Sequence, residues 1–161
     1  MVFSEKIGAK IFSLSALLKR VEFWRMLGDK IVFTNGCFDI LHPGHIHLLS
    51  SCGQFGERII VGLNSDTSVK KLKGESRPVN DEQSRANMLA ALQFTDAVVV
   101  FEDDTPEKLI QSIRPDVLVK GGDWKKDEIV GSDFVESYGG EIKTVPYLKG
   151  FSTTEIIAKS K

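Results

Sequence analysis

The sequence predicts an α/β protein, a doubly wound, five-stranded parallel sheet with helices on both faces. Three observations predict it. Short apolar runs of strand length alternate along the chain with segments of helical spacing. The apolar runs are continuous rather than alternating, as strands covered on both faces require. The polar and glycine-rich loops of unusual chemistry follow residues 34, 63, 120 and 146 at the C-terminal ends of strands, the edge where open parallel sheets hold ligands.

Taken in order, residues 1–12 are an arm without a clear pattern. Ser13 is placed to cap a helix over Leu14–Leu27, because Leu14, Leu17, Leu18, Val21 and Trp24 recur at helical spacing and Gly28 stops the run. Lys30–Thr34 is the first strand. Pro43-Gly44 opens a helix reaching about Gln54. Arg58–Leu63 is the second strand, and Asn64-Ser65-Asp66 a cap or site loop in which Asp66 is one candidate cap. Ser68–Lys73 is short and basic, and Gly74–Asn80 is a loop by its Gly and Pro. Asp81 caps a helix through Ala91. Ala97–Phe101 is the third strand. Thr105 and Pro106 supply the cap and first position of a helix that Pro115 ends. Val117–Lys120 is the fourth strand, Asp133–Tyr138 a helix, Ile142–Val145 the fifth strand, and Glu155–Ser160 the last helix. The expected organisation is a domain over residues 30–161 with the arm and helix of residues 1–29 packed on its core. The apolar first helix, with Phe23, Trp24 and Met26, could cover the sheet or make a homodimer contact.

With 161 residues, 42% of them hydrophobic, the chain can build one sizeable core. Lys plus Arg is 21 against 22 for Asp plus Glu, a net charge of −1, which excludes a general nucleic-acid binder and leaves room for a local basic pocket. Two cysteines, Cys37 and Cys52, make no disulfide framework. The N-terminus lacks a secretory pattern, and no stretch nears the ~18 apolar residues of a membrane span. A cytoplasmic protein without a membrane partner is expected.

The chemistry concentrates in Lys30–His47. A buried strand breaks at Asn35-Gly36, then Asp39, His42, Gly44 and His45 precede a helix. Strand, glycine turn and helix N-terminus in that order form an anion-binding geometry. Gly44 removes a side chain where a ligand would approach, and the two imidazoles can donate to phosphoryl oxygens as charge builds. The bland alternative has one His packing or capping and the other solvated. His42, His45 and His47 have no Cys or acidic partner at a zinc-ligand spacing, so no metal cage is expected.

Thr34-Asn35-Gly36-Cys37-Phe38-Asp39, followed by His42-Pro43-Gly44-His45, resembles the HxGH nucleotidyltransferases of the cytidylyltransferase-like group, whose fold is Rossmann-like. The resemblance continues through Gly121-Gly122-Asp123-Trp124 and ends at Gly150-Phe151-Ser152-Thr153-Thr154, similar to the group's second signature. Within the group, VGLNSD, RPVN, RPDVLVKGGDW and GFSTTEII are most similar to the bacterial heptose-phosphate adenylyltransferases, in a form without the fused sugar kinase. Transfer of AMP from ATP to a heptose 1-phosphate, with release of pyrophosphate, is what that resemblance implies. The product would serve lipopolysaccharide or other surface-glycan synthesis.

The same resemblance implies the residue roles. His42 and His45 would hold the α- and β-phosphates, and Ser152, Thr153 and Thr154 the β/γ end. Thr34, Asn35, Gly36, Phe38, Gly44, Gly122 and Asp123 would line the nucleotide. Lys71 and Lys73 are similar to a basic pair on a loop, and Lys73 is the preferred catalytic cation because Gly74 follows it; the bland reading is a solvated charge run. Arg85 matches an arginine expected on the nucleotide, or else a surface ion pair with Asp81 or Glu82. Asp39, Asn64, Arg77 and Trp124 are candidates for the sugar phosphate, Asp39 alternatively holding its own turn. Magnesium is expected to arrive with the ATP phosphates. The segment Pro146-Tyr147-Leu148-Lys149-Gly150 lacks an arginine that some cytidylyltransferases carry there, which points away from CTP with glycerol 3-phosphate or ethanolamine phosphate. A nucleotide-binding regulator without turnover is the alternative of another class.

Overall fold

The computed structural model describes residues 2–159. Its elements are α1 (Phe3–Gly8), β1 (Ile11–Phe12), α2 (Leu14–Met26), β2 (Ile31–Gly36), α3 (Pro43–Cys52), β3 (Arg58–Asn64), α4 (Asp66–Lys73) and α5 (Glu82–Ala91). Then follow β4 (Ala97–Phe101), α6 (Glu107–Ile113), β5 (Val117–Gly121), a 3₁₀ turn at Lys126–Glu128, α7 (Ser132–Ser137), β6 (Glu141–Val145) and α8 (Thr153–Lys159). The strands form one parallel sheet of six, in the order β1-β4-β3-β2-β5-β6.

The sixth strand corrects the expected five. It lies in the arm, where Ile11 and Phe12 pair with Val98 and Val99 at the sheet edge. Two residues are too few to show a period, so only the pairing reveals them. Several helix starts also shift, α7 by one residue to Ser132. Ser65, not Asp66, caps α4, with its hydroxyl accepting from Ser68 N. Thr105 makes no cap, and Pro106 takes that position ahead of α6. Ser152 caps α8, so the helix begins at Thr153, ahead of the expected Glu155; the expected end at Ser160 lies outside the described residues.

The strands alternate their side chains between two cores. Ile31, Phe33, Ile60, Val99 and Leu118 pack with Leu17, Val21 and Trp24 of α2, Ile110 and Ile113 of α6 and Val135 of α7. Val32, Val61, Val98, Val117 and Val119 pack with Leu49 and Cys52 of α3 and Ala86 and Leu89 of α5. Trp24 thus covers the sheet, while Phe23 and Met26 on the same helix are exposed. Burial on both faces is what makes the strand sequences continuously apolar. Among the described residues no helix is long and apolar enough to cross a membrane.

The two ends of the sheet differ. At the N-terminal end carboxylates cap the strands: Ile31 N donates to Asp116 Oδ2 at 2.7 Å and Ile59 N to Asp96 Oδ2 at 2.9 Å. At the C-terminal end lie the buried polar residues Thr34, Asp39, Asn64, Ser65, Ser68 and Arg85. Chain order reverses between β2 and β5, so the crevice beyond their C-terminal ends is a topological switch point.

Candidate active site

The turn after β2 occupies that crevice. Phe38 takes a left-handed backbone conformation, φ 45°, uncommon for a residue with a side chain and a mark of turns under functional constraint. Its ring is buried and lies 5.0 Å from the His45 ring. A side chain at Gly36 would meet the Phe38 ring at 3.0 Å, which explains glycine there. His42 is the cap residue of α3 in extended backbone, Pro43 is its first helical residue, and His45 follows one turn in. The two imidazoles stack at 3.7 Å between centroids.

Burial lowers the proton affinity of both rings. His45 is brought down to about 4, chiefly by burial and then by the neighbouring His42, and His42 is lowered by burial alone. At neutral pH both are therefore neutral hydrogen-bonding groups rather than cations. Nδ1 of His42, Nδ1 of His45 and Oγ1 of Thr34 are three of the four buried side-chain polar atoms without a hydrogen-bond partner among the described residues. Such atoms are costly and rare, and three of them lie together at this turn.

The second signature meets the first in space. A methyl group at Gly44 would sit 3.0 Å from His42 Cε1 and Nδ1 and 3.5 Å from the Phe151 carbonyl oxygen. The start of α8 therefore stands beside the start of α3. Ser152 Oγ accepts from Glu155 N at 3.1 Å, with Thr153 half-buried and Thr154 exposed on the first turn.

Four of the candidate residues have partners within the protein: Asp39 holds the turn, the alternative its position left open, and Arg77, Asn64 and Arg85 each bond to neighbouring groups. Asp39 is 1% exposed, and its carboxylate accepts from Arg77 Nε at 2.5 Å, Val79 N at 2.7 Å and Asn80 N at 3.1 Å. It ties the 77–80 loop to the turn and has no surface left for a sugar. Arg77 spends its Nε on that ion pair, and its side chain is 17% exposed. Asn64 is buried, donating from Nδ2 to Ser68 Oγ at 2.9 Å. Arg85 is fully buried, donating to the carbonyls of Asn80, Cys37 and Asn64 and to Asp66 Oδ1 at 2.7–3.0 Å. It lies beneath the crevice rather than in its lining, and its ion pair is with Asp66, not Asp81 or Glu82.

The remaining candidates stand at the rim. Lys71 pairs with Asp104 at 3.1 Å, an exposed contact that costs little to exchange. Lys73 is exposed at the end of α4, close enough to Cys37 to favour its thiolate, although burial wins and the thiol is raised. Gly122 has φ 112° and packs under the Tyr147 ring, which a Cβ would meet at 2.6 Å. Asp123 is exposed on the same turn. Trp124 donates Nε1 to the Gly121 carbonyl at 3.0 Å and is 43% exposed. Asn35 is half-buried at the end of β2. Sequence reasoning missed Asn80, which donates Nδ2 to the Asp39 carbonyl at 2.7 Å. It also missed Tyr147 and Lys120, whose one sequence signal was a lone cation ending an apolar strand. Among the described residues no group of three or more His, Cys, Asp or Glu could hold a metal.

The chain is 54% identical over 153 residues to the bifunctional protein HldE of Hyphomonas neptunium, a match covering 95% of this chain and 32% of that protein. It is 53% identical over 151 residues to the bifunctional protein HldE of Koribacter versatilis, covering 94% and 31%. The chain thus spans about a third of the length of the curated relatives it matches. Among solved structures, the lipopolysaccharide core biosynthesis protein from Thermoplasma volcanium superposes with a TM-score of 0.62 at 30% identity, covering 77% of this chain and 100% of that one. A pantoate-beta-alanine ligase from Francisella tularensis, complexed with beta-gamma ATP and β-alanine, shares the fold alone, at a TM-score of 0.62 and 18% identity over 92% of this chain and 76% of that one. Residues 33–159, which include both histidines of the turn and the Ser-Thr-Thr helix start, match the family described as Cytidylyltransferase-like, and the chain belongs to that family.

Proposed function

We propose that the chain transfers AMP from ATP to a heptose 1-phosphate in the cytoplasm. A phosphate oxygen of the sugar forms a bond to the α-phosphorus, the bond from that phosphorus to the β-phosphate bridging oxygen breaks, and pyrophosphate leaves, giving ADP-heptose. The observation that carries this reading is the meeting of the α3 and α8 N-termini across Gly44, with His42 and His45 on one side and Ser152 on the other. Two helix starts converging on one spot suit a chain of phosphates. The acceptor is already ionised, so no general base is required, and the work is positioning and charge stabilisation.

In this reading the neutral imidazoles donate hydrogen bonds to the α- and β-phosphates, and the stacked pair keeps both donors on one face. Ser152, Thr153 and Thr154 receive the β/γ end through amides and hydroxyls. Lys73 supplies a cation from the rim. Backbone groups of Thr34, Asn35 and Gly36, with Gly122 and Asp123, line the nucleoside side, and Trp124 flanks the acceptor. Asp39, Arg77 and Arg85 hold the turn, with the terminal nitrogens of Arg77 lying outside its ion pair. Magnesium enters as part of the MgATP substrate. The name of the lipopolysaccharide core biosynthesis relative supports a surface-glycan precursor as product, and the sugar phosphate acceptor is what the likeness of VGLNSD, RPVN and RPDVLVKGGDW to the heptose-phosphate adenylyltransferases implies.

The test is a panel of ATP, CTP, GTP and UTP against heptose 1-phosphates, glycerol 3-phosphate and ethanolamine phosphate, read as pyrophosphate release. ATP turnover with a heptose 1-phosphate is expected. CTP turnover with glycerol 3-phosphate would refute the proposal, and ATP binding without release of pyrophosphate across the panel would favour a regulator.

A further inference from the structure

Lys120 is the penultimate residue of β5, at the switch point, and the mechanism above does not use it. Val32 and Phe33 of β2 pair with Val117 and Leu118, and the same one-for-one register carried forward sets Lys120 level with Asn35. On its other side it pairs with Thr144 of β6. Its side chain is partly buried, and its ammonium lies 5.9 Å from the centre of the Trp124 ring. Among the described residues it has no hydrogen bond and no carboxylate partner. Burial lowers its proton affinity, and the Cys37 thiol of the active turn opposes this. A cation held partly out of water beside a ligand crevice, without a counter-ion, is poised for an anionic ligand.

Its side of the sheet identifies which anion. Leu118 packs in the core under α2, α6 and α7, and Lys120, two residues on, shares that face. Helix α3, which carries the histidines, packs on the opposite face. In-line phosphoryl transfer sets the entering oxygen and the leaving oxygen on opposite sides of the phosphorus. If the histidine side holds the departing pyrophosphate, the entering phosphate stands on the Lys120 side. We propose that Lys120 binds the phosphate of the sugar 1-phosphate acceptor, with Trp124 flanking it, an assignment that rests on the function proposed above. Sugar hydroxyls are then read by neighbouring groups, while Lys120 reads only the charge.

Steady-state kinetics on the full chain with Lys120→Met and Lys120→Arg test this. Lys120→Met should raise KM for the heptose 1-phosphate about tenfold or more, the worth of one charge-assisted hydrogen bond. KM for ATP should stay within about twofold, and Lys120→Arg should recover part of the loss. An unchanged acceptor KM would overturn the proposal, as would a rise confined to ATP, which would move the lysine to the nucleotide. Should the wild-type chain not use heptose 1-phosphate, or Lys120→Met not fold, a second measurement decides. The Lys120 side-chain resonances of the wild-type protein are followed by NMR as inorganic phosphate is added. Saturable movement of the Nζ signal supports a phosphate site at Lys120 whatever the sugar, and an unmoved signal removes it.

Discussion

Replacing Arg85 by lysine should destabilise the protein far more than it weakens nucleotide binding. Arg85 is 0% exposed and makes four hydrogen bonds: Nε to the Asn80 carbonyl at 3.0 Å, Nη1 to the carbonyls of Cys37 at 2.7 Å and Asn64 at 2.8 Å, and Nη2 to Asp66 Oδ1 at 2.8 Å. These acceptors belong to the active turn, the end of β3, the loop before α5 and the start of α4. A lysine keeps the charge but offers one compact ammonium and cannot span the planar fork. At least two carbonyls lose their donor. Each such loss costs about 1.5–3 kcal/mol, so a total of about 3–6 kcal/mol is expected, against a whole-domain stability of about 5–15 kcal/mol. Urea denaturation followed by circular dichroism measures it as a lowered midpoint at unchanged slope. Steady-state kinetics on the folded fraction would show a modest change in KM for ATP. A variant of wild-type midpoint with a tenfold higher KM for ATP would refute the reasoning and return Arg85 to the lining of the site.

Three further outcomes follow from the same geometry. Gly44→Ala should cut kcat/KM by about tenfold to a hundredfold through displacement of His42, since the new methyl would meet that ring at 3.0 Å; stability should change little, because alanine favours a helix, and a wild-type rate would contradict the crowding. His45 binds its proton less tightly folded, at about 4, than unfolded, at 6.5, so its contribution to stability is complete above about pH 6.5 and declines as pH falls toward 4. Denaturation midpoints of wild type and His45→Gln should therefore converge over that window, and a constant gap between them would rule out burial as the cause. Asp39→Asn removes the counter-ion of Arg77 from a buried pair and should cost about 3 kcal/mol, with faster amide exchange at Val79 and Asn80; full protection at those amides would show that the carboxylate does not hold the loop.

The parallel α/β architecture was legible because burial on both faces is a local property of composition: IIVGL after Arg58 and AVVVF are apolar throughout since each strand has neighbours and helices around it. The arm strand was not legible, because Ile11 and Phe12 become a strand only by pairing with Val98 and Val99. Helix starts shifted where two adjacent residues could each cap, as at Ser65 and Asp66, and the choice belonged to which hydroxyl reached Ser68 N.

For the site, the sequence by itself determined the turn: Asn35-Gly36 to end the strand, Gly44 to open the helix start, and two histidines one turn apart. Residues close in sequence are close in space, so that chemistry could be read locally. Tertiary structure alone decided which polar residues face a ligand and which hold the scaffold. Arg85 and Cys37 are 48 positions apart, and Arg77 and Asp39 are 38 apart. Their charges look alike in sequence whether solvated or buried. Only the fold, by removing Arg85 and Asp39 from water and satisfying each with protein partners, makes them supports, and only the fold sets Lys120 at the crevice without a counter-ion among the described residues. The physical reason is that a charged group's role is set by what desolvates it and what pairs with it, and both come from segments distant along the chain.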